Sequence, residues 1–159
     1  MAIYMEYTGI KGDVTAAGHE KWIECGSFQW GVGRGITSPQ VGGSADREGS
    51  SPSVSEITLT KTSDCASSNL LRESLWGEGK KVTIHICKTE KAGFEIIQEF
   101  ILDSTMISGF SMSSGGDRPT ESLSLNFTKI QSKMVPMGAD NETGTPDIAN
   151  YNLATGKGS

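Results

Sequence analysis

The sequence predicts a mainly β protein, a small antiparallel β-barrel or sandwich with one flanking α-helix at about residues 65–76. Glycine accounts for 20 of the 159 residues, and serine and threonine are also frequent, a composition that favours turn-rich β structure over a helical bundle. About seven closely spaced stretches alternate apolar and polar side chains as strands do. Only one stretch has apolar residues at helical spacing.

The second strand region, after a first strand at AIYMEY, is predicted to bend sharply. Ile23 and Cys25 occupy odd positions, whereas Phe28 and Trp30 occupy even positions. Side chains alternate faces along a strand, so one straight strand cannot place both pairs in the core. A bulge or bend near Gly26 reconciles the two pairs, because one extra residue exchanges the faces.

A single barrel domain is expected over residues 1–136, because a chain of 159 residues suits one core. Within it, residues 34–55 are rich in serine and glycine and predict a long loop, of a length that is usually functional or disordered. Residues 137–159 are polar with isolated apolar side chains, and they are interpreted as a C-terminal extension.

The only predicted helix lies within DCASSNLLRESLWGEG. Asp64 is suited to be its N-cap, and Gly77 follows its last apolar residue. The apolar side chains fall at helical spacing: Ala66, Leu70, Leu71 and Leu75. We expect this apolar face to pack on the side of the barrel.

Four further strands are predicted, at 80–87, 94–104, 105–112 and 120–130. The second of them is apolar on both sides, with Phe94, Ile96, Phe100 and Leu102 on one face and Ile97 and Ile101 on the other. A sheet with one solvated face should be polar on that side. This strand therefore fits a sheet whose outer face is covered by the helix or by another subunit.

Charge and hydropathy exclude several classes of protein. The net charge is −5 without a basic patch, which disfavours nucleic acid as a partner. No stretch approaches the roughly 18 apolar residues of a membrane span, so no membrane insertion is expected. The opening MAIYMEYTGIKGD lacks the pattern of a Sec-type signal peptide. Three widely spaced cysteines predict reduced thiols rather than a disulfide framework.

The glycines Gly31, Gly33 and Gly35 raise the possibility of a phosphate loop. Dinucleotide and P-loop motifs need different glycine spacings and a helix directly afterwards, and neither is present here. GEGKK, at 77–81, likewise lacks the rest of a P-loop motif. No nucleotide or other cofactor is therefore expected, and the glycines are interpreted as marking the end of a bent strand.

No catalytic or metal site is predicted. His85 and Cys87 share one strand face, but neither CxxC nor HxxxH spacing accompanies them, and His19 lies far away in the sequence. Two residues along a strand is also a poor distance for a Cys–His nucleophilic pair. The cluster Asp46-Arg47-Glu48 neutralises itself and suits ion pairs with another chain.

Four segments in order resemble the haemolysin-coregulated protein (Hcp) family of the type VI secretion system: WIECGSFQWGVGRGI, REGSSPSVSEITLTK, ESLWGEGKKVTIHI and TESLSLNFTKIQ. The resemblance runs from Met1 to about Val135, and the ending NYNLATGK is also similar. It implies a phage tail-tube-like barrel that forms hexameric rings, which stack into a tube inside a contractile sheath. A spike protein would cap the tube, and small effector proteins would be carried in its lumen.

The resemblance also implies a structural protein rather than an enzyme, built in the bacterial cytoplasm and secreted without a signal peptide. Its long loop would reach the next ring, which makes Arg34, Asp46, Arg47 and Glu48 candidate residues for subunit contacts and ring stacking. The alternative is a β-barrel binding module, or an adaptor for an exported partner. A closed apolar cavity inside one barrel would favour that alternative.

Overall fold

The computed structural model describes residues 1–36, 49–90, 93–136 and 144–159. Within these residues the chain forms twelve strands and one helix. The first six strands are β1 (Ala2–Tyr7), β2 (Ile23–Cys25), β3 (Ser27–Gln29), β4 (Val32–Gly33), β5 (Ser53–Val54) and β6 (Ile57–Thr62). Helix α1 (Ser67–Trp76) is followed by β7 (Lys80–Glu90), β8 (Gly93–Ser113), β9 (Thr120–Asn126), β10 (Lys129–Met134), β11 (Asp147–Asn152) and β12 (Lys157–Gly158).

Seven of the strands form the barrel, and its seam is closed by the bend that the sequence predicts. Antiparallel pairing runs from β2 through β1, β7, β8, β9 and β6 to β3. Only Gly26 separates β2 from β3, and its N–H donates a hydrogen bond to the carbonyl of Thr60 at 2.7 Å. Ile23 and Phe28 consequently contribute to one core although their positions differ in parity.

Strand β8 replaces the two strands predicted at 94–104 and 105–112. It is a single strand of 21 residues, which pairs with β7 and β10 through its first half and with β9 through its second half. The expected break is only a bulge, where Lys80 pairs with Thr105 and Val82 pairs with Leu102. Ser104 absorbs the bulge with a φ of 51°.

A second bulge lies at Ile97. Ile86 pairs with Gln98, but the next residue of β7, Cys87, pairs with Ile96, which leaves Ile97 without a partner in that ladder. One unpaired residue exchanges the two faces of the strand beyond it.

This bulge overturns the predicted common face of Phe94, Ile96, Phe100 and Leu102. Phe100 and Leu102 are buried in the barrel core. Ile96 instead packs on the outside of the sheet, and the ring of Phe94 lies there in edge-to-face contact with Tyr4, with 5.6 Å between ring centroids. The parity rule failed because the sequence does not reveal where a bulge occurs.

The outside of the sheet is covered, as the apolar strand predicts, but by the protein's own covering loop, residues 8–22. The sequence predicted the helix or another subunit as the cover and did not reveal this loop, and Phe94 on the same face remains 39% exposed. Tyr4, Val14 and Cys87 form a second buried cluster, against which Trp22 packs. The loop is held together by backbone bonds, among them Val14 N–H to the carbonyl of Trp22 at 3.1 Å.

Helix α1 forms as predicted, but its cap and its buried face differ. Ala66 occupies the N-cap position, and Asp64 instead accepts a hydrogen bond from the N–H of Ala66 at 3.0 Å. Leu70 is buried, whereas Leu71 and Leu75 are 44% and 61% exposed. The helix turns Ala66 and Leu70 towards the barrel, so the predicted face was too wide.

Two elements project from the barrel. The arm, residues 31–36 and 49–55, contains the β4–β5 pair and a further bridge between Ile36 and Gly49. The flange consists of β10, β11 and β12, which continue the sheet outward from β8. The segment at 147–158, interpreted from sequence as part of a polar extension, thus contributes two strands to the flange.

Candidate assembly surfaces

The arm contains the glycines that raised the possibility of a phosphate loop. Gly31 donates its N–H to Oγ of Ser55 at 2.9 Å, and Gly35 donates its N–H to Oγ of Ser50 at 3.0 Å. Gly33 pairs with Ser53 across the two arm strands. The N–H groups of Gly31 and Gly35 are therefore engaged in holding the two sides of the arm together.

Arg34 is the one predicted contact residue within the described part of the chain. It is exposed, and its guanidinium lies over Gly49, where an added Cβ would come within 2.9 Å of Nε. A glycine at 49 therefore lets the Arg34 side chain lie flat across the arm. Asp46, Arg47 and Glu48 lie outside the described residues, so the structure places only Arg34.

An apolar groove separates the base of the arm from the flange. It has a volume of about 160 Å³ and is lined mainly by Trp30, Val32, Pro52, Val54, Ile130 and Tyr151. Val32 is 54% exposed. A concave apolar surface of this kind is typical of a contact site.

This groove was not predicted from the sequence, because residues 137–159 are polar with isolated apolar side chains and were interpreted as an extension. A signal for a strand was nevertheless present in ANYNL, since Ala149, Tyr151 and Leu153 alternate with Asn150 and Asn152. The alternation places Tyr151 on the groove side of β11.

Other large apolar side chains are also exposed on the elements outside the barrel core. Helix α1 carries Leu71, Leu75 and Trp76, with Trp76 75% exposed. The arm adds Ile36, and the flange side adds Met134, Ile148 and Leu153. Isolated exposed apolar residues are ordinary, but three on one short helix indicate a surface for other proteins.

A buried polar cluster joins the residues that were considered for chemistry. Nε2 of His19 lies 2.9 Å from Nδ1 of His85 and 3.8 Å from Sγ of Cys87. Nε2 of His85 lies 2.6 Å from Oε2 of Glu99. The fold therefore brings the distant His19 to His85 and Cys87, which share a strand face, and adds Glu99.

This cluster is unsuited to nucleophilic chemistry. The thiol of Cys87 is buried, and burial raises its pKa, which disfavours the reactive thiolate. Burial, and then the charge of His85, lower the pKa of His19. Both imidazoles are enclosed under the covering loop, so the arrangement ties this loop to the sheet.

In the described residues, no three His, Cys, Asp or Glu side chains are arranged to hold a metal ion. The facing nitrogens of His19 and His85 bond to each other, so no free space for an ion lies between them. No helix in the described ranges is long and apolar enough to span a membrane.

Comparison with known proteins identifies the family. The family model described as "Type VI secretion system effector, Hcp" matches residues 4–134. Among curated proteins, none matches the sequence significantly.

Solved structures show the same fold. A type six secretion system protein is 24% identical, with a TM-score of 0.89 and 99% of both chains covered. Hcp1 from Salmonella typhimurium is 19% identical, with a TM-score of 0.78, covering 99% of this chain and 98% of its own. A type VI secretion system effector from Yersinia pestis is 22% identical, with a TM-score of 0.73 and coverage of 94% and 98%.

The family match spans most of the chain, and the fold agrees with it. The protein therefore belongs to the Hcp family of type VI secretion, whose members are secreted structural tube proteins that assemble as homo-oligomers, and it is not an enzyme.

Proposed function

We propose that six copies of this chain form a ring, that rings stack into the inner tube of a type VI apparatus, and that the lumen carries small effectors. The observation that carries the proposal is the apolar groove between the arm and the flange. Closed rings use head-to-tail contacts, in which one surface of a subunit meets a different surface of its neighbour. The groove is a concave surface that a neighbouring subunit can fill.

The ring is tested by native mass spectrometry on the wild type and on two variants of Val32. Val32→Asp places a charge in the groove and should convert hexamers to monomers, because a buried unpaired charge opposes association. Val32→Leu keeps the groove apolar and serves as the control. Val32 is 54% exposed in the single subunit, so neither change should unfold the barrel. A wild-type protein that stays monomeric at high concentration would contradict the proposed ring.

Ring stacking is proposed to use the charged side chains of Arg34 in the arm and of Asp46, Arg47 and Glu48 in the sequence that joins its two sides. Exchanging the charges with Arg47→Glu and Glu48→Arg should shorten tubes in negative-stain micrographs while leaving single rings intact in the mass spectrometer. The matched control is Asp117→Arg with Arg118→Asp, an adjacent exposed pair in the β8–β9 turn. Equal shortening by both double variants would contradict a specific role of the arm.

Effector transport requires the assembled ring. A small effector co-expressed from the same secretion system should persist longer beside the wild type than beside the monomeric Val32→Asp variant. Equal effector half-lives would remove this part of the proposal. A spike protein and a contractile sheath are proposed as the further partners, from family membership alone.

The alternative function, a small-ligand carrier, is not supported by the barrel interior. Core side chains such as Met5, Leu59, Ile84 and Leu123 are fully buried and packed together there. A carrier needs a cavity, whereas this interior is filled by the protein's own side chains.

A further inference from the structure

The covering loop is attached to the sheet by one titratable side chain, His19. Its imidazole is 3% exposed. It lies between the ring of Tyr4, with 4.8 Å between centroids, and the ring of Trp22, with 4.7 Å between centroids. His19 is therefore the point at which the outer cluster of the sheet meets the loop that covers it.

The hydrogen bonds form a row in which His19 donates to His85, and His85 donates to Glu99 at the edge of the cluster. The carboxylate of Glu99 accepts from Nε2 of His85, which leaves Nδ1 of neutral His85 as an acceptor. Nε2 of His19 then donates to that nitrogen. Nδ1 of His19 carries the remaining lone pair and has no hydrogen-bond partner. Each hydrogen bond in this row therefore has one donor and one acceptor when each imidazole holds one proton.

A further proton disturbs this order. If His85 becomes charged, both of its nitrogens donate, and His19 can accept only by moving its own proton to Nδ1. The backbone of Ala17, in the covering loop itself, interacts with the His19 ring, so a proton at Nδ1 adds no bond between the loop and the sheet. If both imidazoles become charged, two N–H donors face each other across 2.9 Å, and the contact is lost.

The charged and titratable groups around the pair come from several elements. They are Glu20 of the loop, Tyr4 of β1, Glu24 of β2, Cys87 of β7, Glu95 and Glu99 of β8, and Lys133 of β10. Lys133 pairs with Glu99 across β10 and β8, and the two line the same surface pocket. Glu99 is the most accessible member of the hydrogen-bonded chain, so protons enter at its end.

We propose that the His19–His85–Glu99 chain is a proton-operated latch, which holds the covering loop on the sheet near neutral pH and releases it in mild acid. Release exposes Tyr4, Trp22 and the thiol of Cys87. The latch concerns one subunit and does not depend on the proposed ring. Burial lowers the pKa of His19, so release falls below the ordinary histidine value of about 6.5.

Amide hydrogen exchange of the full chain, followed by mass spectrometry from about pH 7 to about pH 5, tests the latch. After correction for intrinsic rates, exchange of the loop amides of Val14, Lys21 and Trp22 should rise about tenfold per pH unit below the transition. Exchange in β6 should stay constant as an internal reference. The chain has only two histidines, so a transition in this range reports on this pair.

Cys87 offers a second readout. In a Cys65→Ser background, which removes the exposed thiol, dithiodipyridine should modify Cys87 faster in acid than at neutral pH. This reagent also reacts with thiols in acid, so slower or unchanged modification as the pH falls would overturn the latch.

Two variants separate the latch from general acid unfolding. His19→Phe keeps a ring between Tyr4 and Trp22 but cannot titrate, so the acid step in exchange should vanish. Glu99→Gln keeps an acceptor for His85 but removes the carboxylate charge at the accessible end of the row, so the acid step should move in pH. An acid step that persists in His19→Phe, or that does not move in Glu99→Gln, would overturn the proposal.

Discussion

Nζ of Lys61 lies 2.6 Å from Oε2 of Glu121, and both side chains are fully buried. The two residues face each other across the β6–β9 ladder. Nζ also donates to Oδ1 of Asp64, and Oγ of Ser67 donates to the same oxygen of Glu121. This ion pair therefore fixes the first turn of helix α1 to the barrel, and it engages the carboxylate that the sequence predicted to cap the helix.

Lys61→Met should lower the free energy of unfolding by about 3–5 kcal/mol, because it leaves the charge of Glu121 buried without its partner. Urea denaturation measures this loss. Adding Glu121→Leu should recover most of it, since a buried ion pair and apolar residues of similar volume are often of similar stability. A single variant that loses less than about 1 kcal/mol would contradict the importance of the pair.

Leu70→Ala should cost about 2–5 kcal/mol, because Leu70 is fully buried beneath the helix. Leu75→Ala, on the same helix but 61% exposed, should stay within about 0.5 kcal/mol. Urea denaturation of the monomeric Val32→Asp background measures both without interference from assembly. Equal costs at the two positions would mean that the helix packs with a different face.

Gly12→Ala should release the covering loop. A Cβ at Gly12 would overlap the carbonyl oxygen of Trp22 and lie 2.7 Å from its carbonyl carbon. Because backbone atoms must move to relieve this contact, we expect a loss above about 1 kcal/mol. Gly115→Ala is the control, since nothing lies within 4 Å of its added Cβ. Thermal unfolding of the two variants distinguishes them, and similar melting temperatures would be inconsistent with the close approach.

Alkaline pH should destabilise the fold through Tyr7. Burial, and then the charge of Glu73, raise the pKa of Tyr7 from 10.0 to about 12. Between these values the unfolded chain loses the phenolic proton while the folded chain keeps it, so stability falls as the pH rises, by up to about 1.4 kcal/mol per pH unit. Urea denaturation as a function of pH checks this slope, and Tyr7→Phe should reduce it. An unchanged slope in Tyr7→Phe would assign the loss to other groups.

The alternation of apolar and polar side chains along the sequence predicted the strands correctly wherever their pairing register is not shifted by a bulge. The bend at Gly26 was predictable because Ile23 and Phe28 both need burial but differ in parity. The bulge at Ile97 was not, because either register leaves apolar side chains on both faces of that strand. The position of a bulge depends on how the strand pairs with its neighbour, and the local sequence does not encode this pairing.

The surfaces were less predictable than the core. Leu71 and Leu75 fit the helical pattern as well as Leu70 does, and only the position of the helix on the barrel leaves them exposed. The groove requires Trp30 and Tyr151 to meet from opposite ends of the chain. The contact of His19 with His85 likewise joins residues 66 positions apart. Such long-range contacts follow from the topology of the fold. A single sequence reveals that topology only through its resemblance to a family.

The long strand β8 has a mechanical consequence. Its 21 residues, about 70 Å of extended chain before bending, belong both to the half of the sheet that carries the flange and to the half that pairs with β9. A push or pull that reaches β8 from the flange through the β10–β8 ladder is therefore carried along the backbone of one strand to the half that pairs with β9.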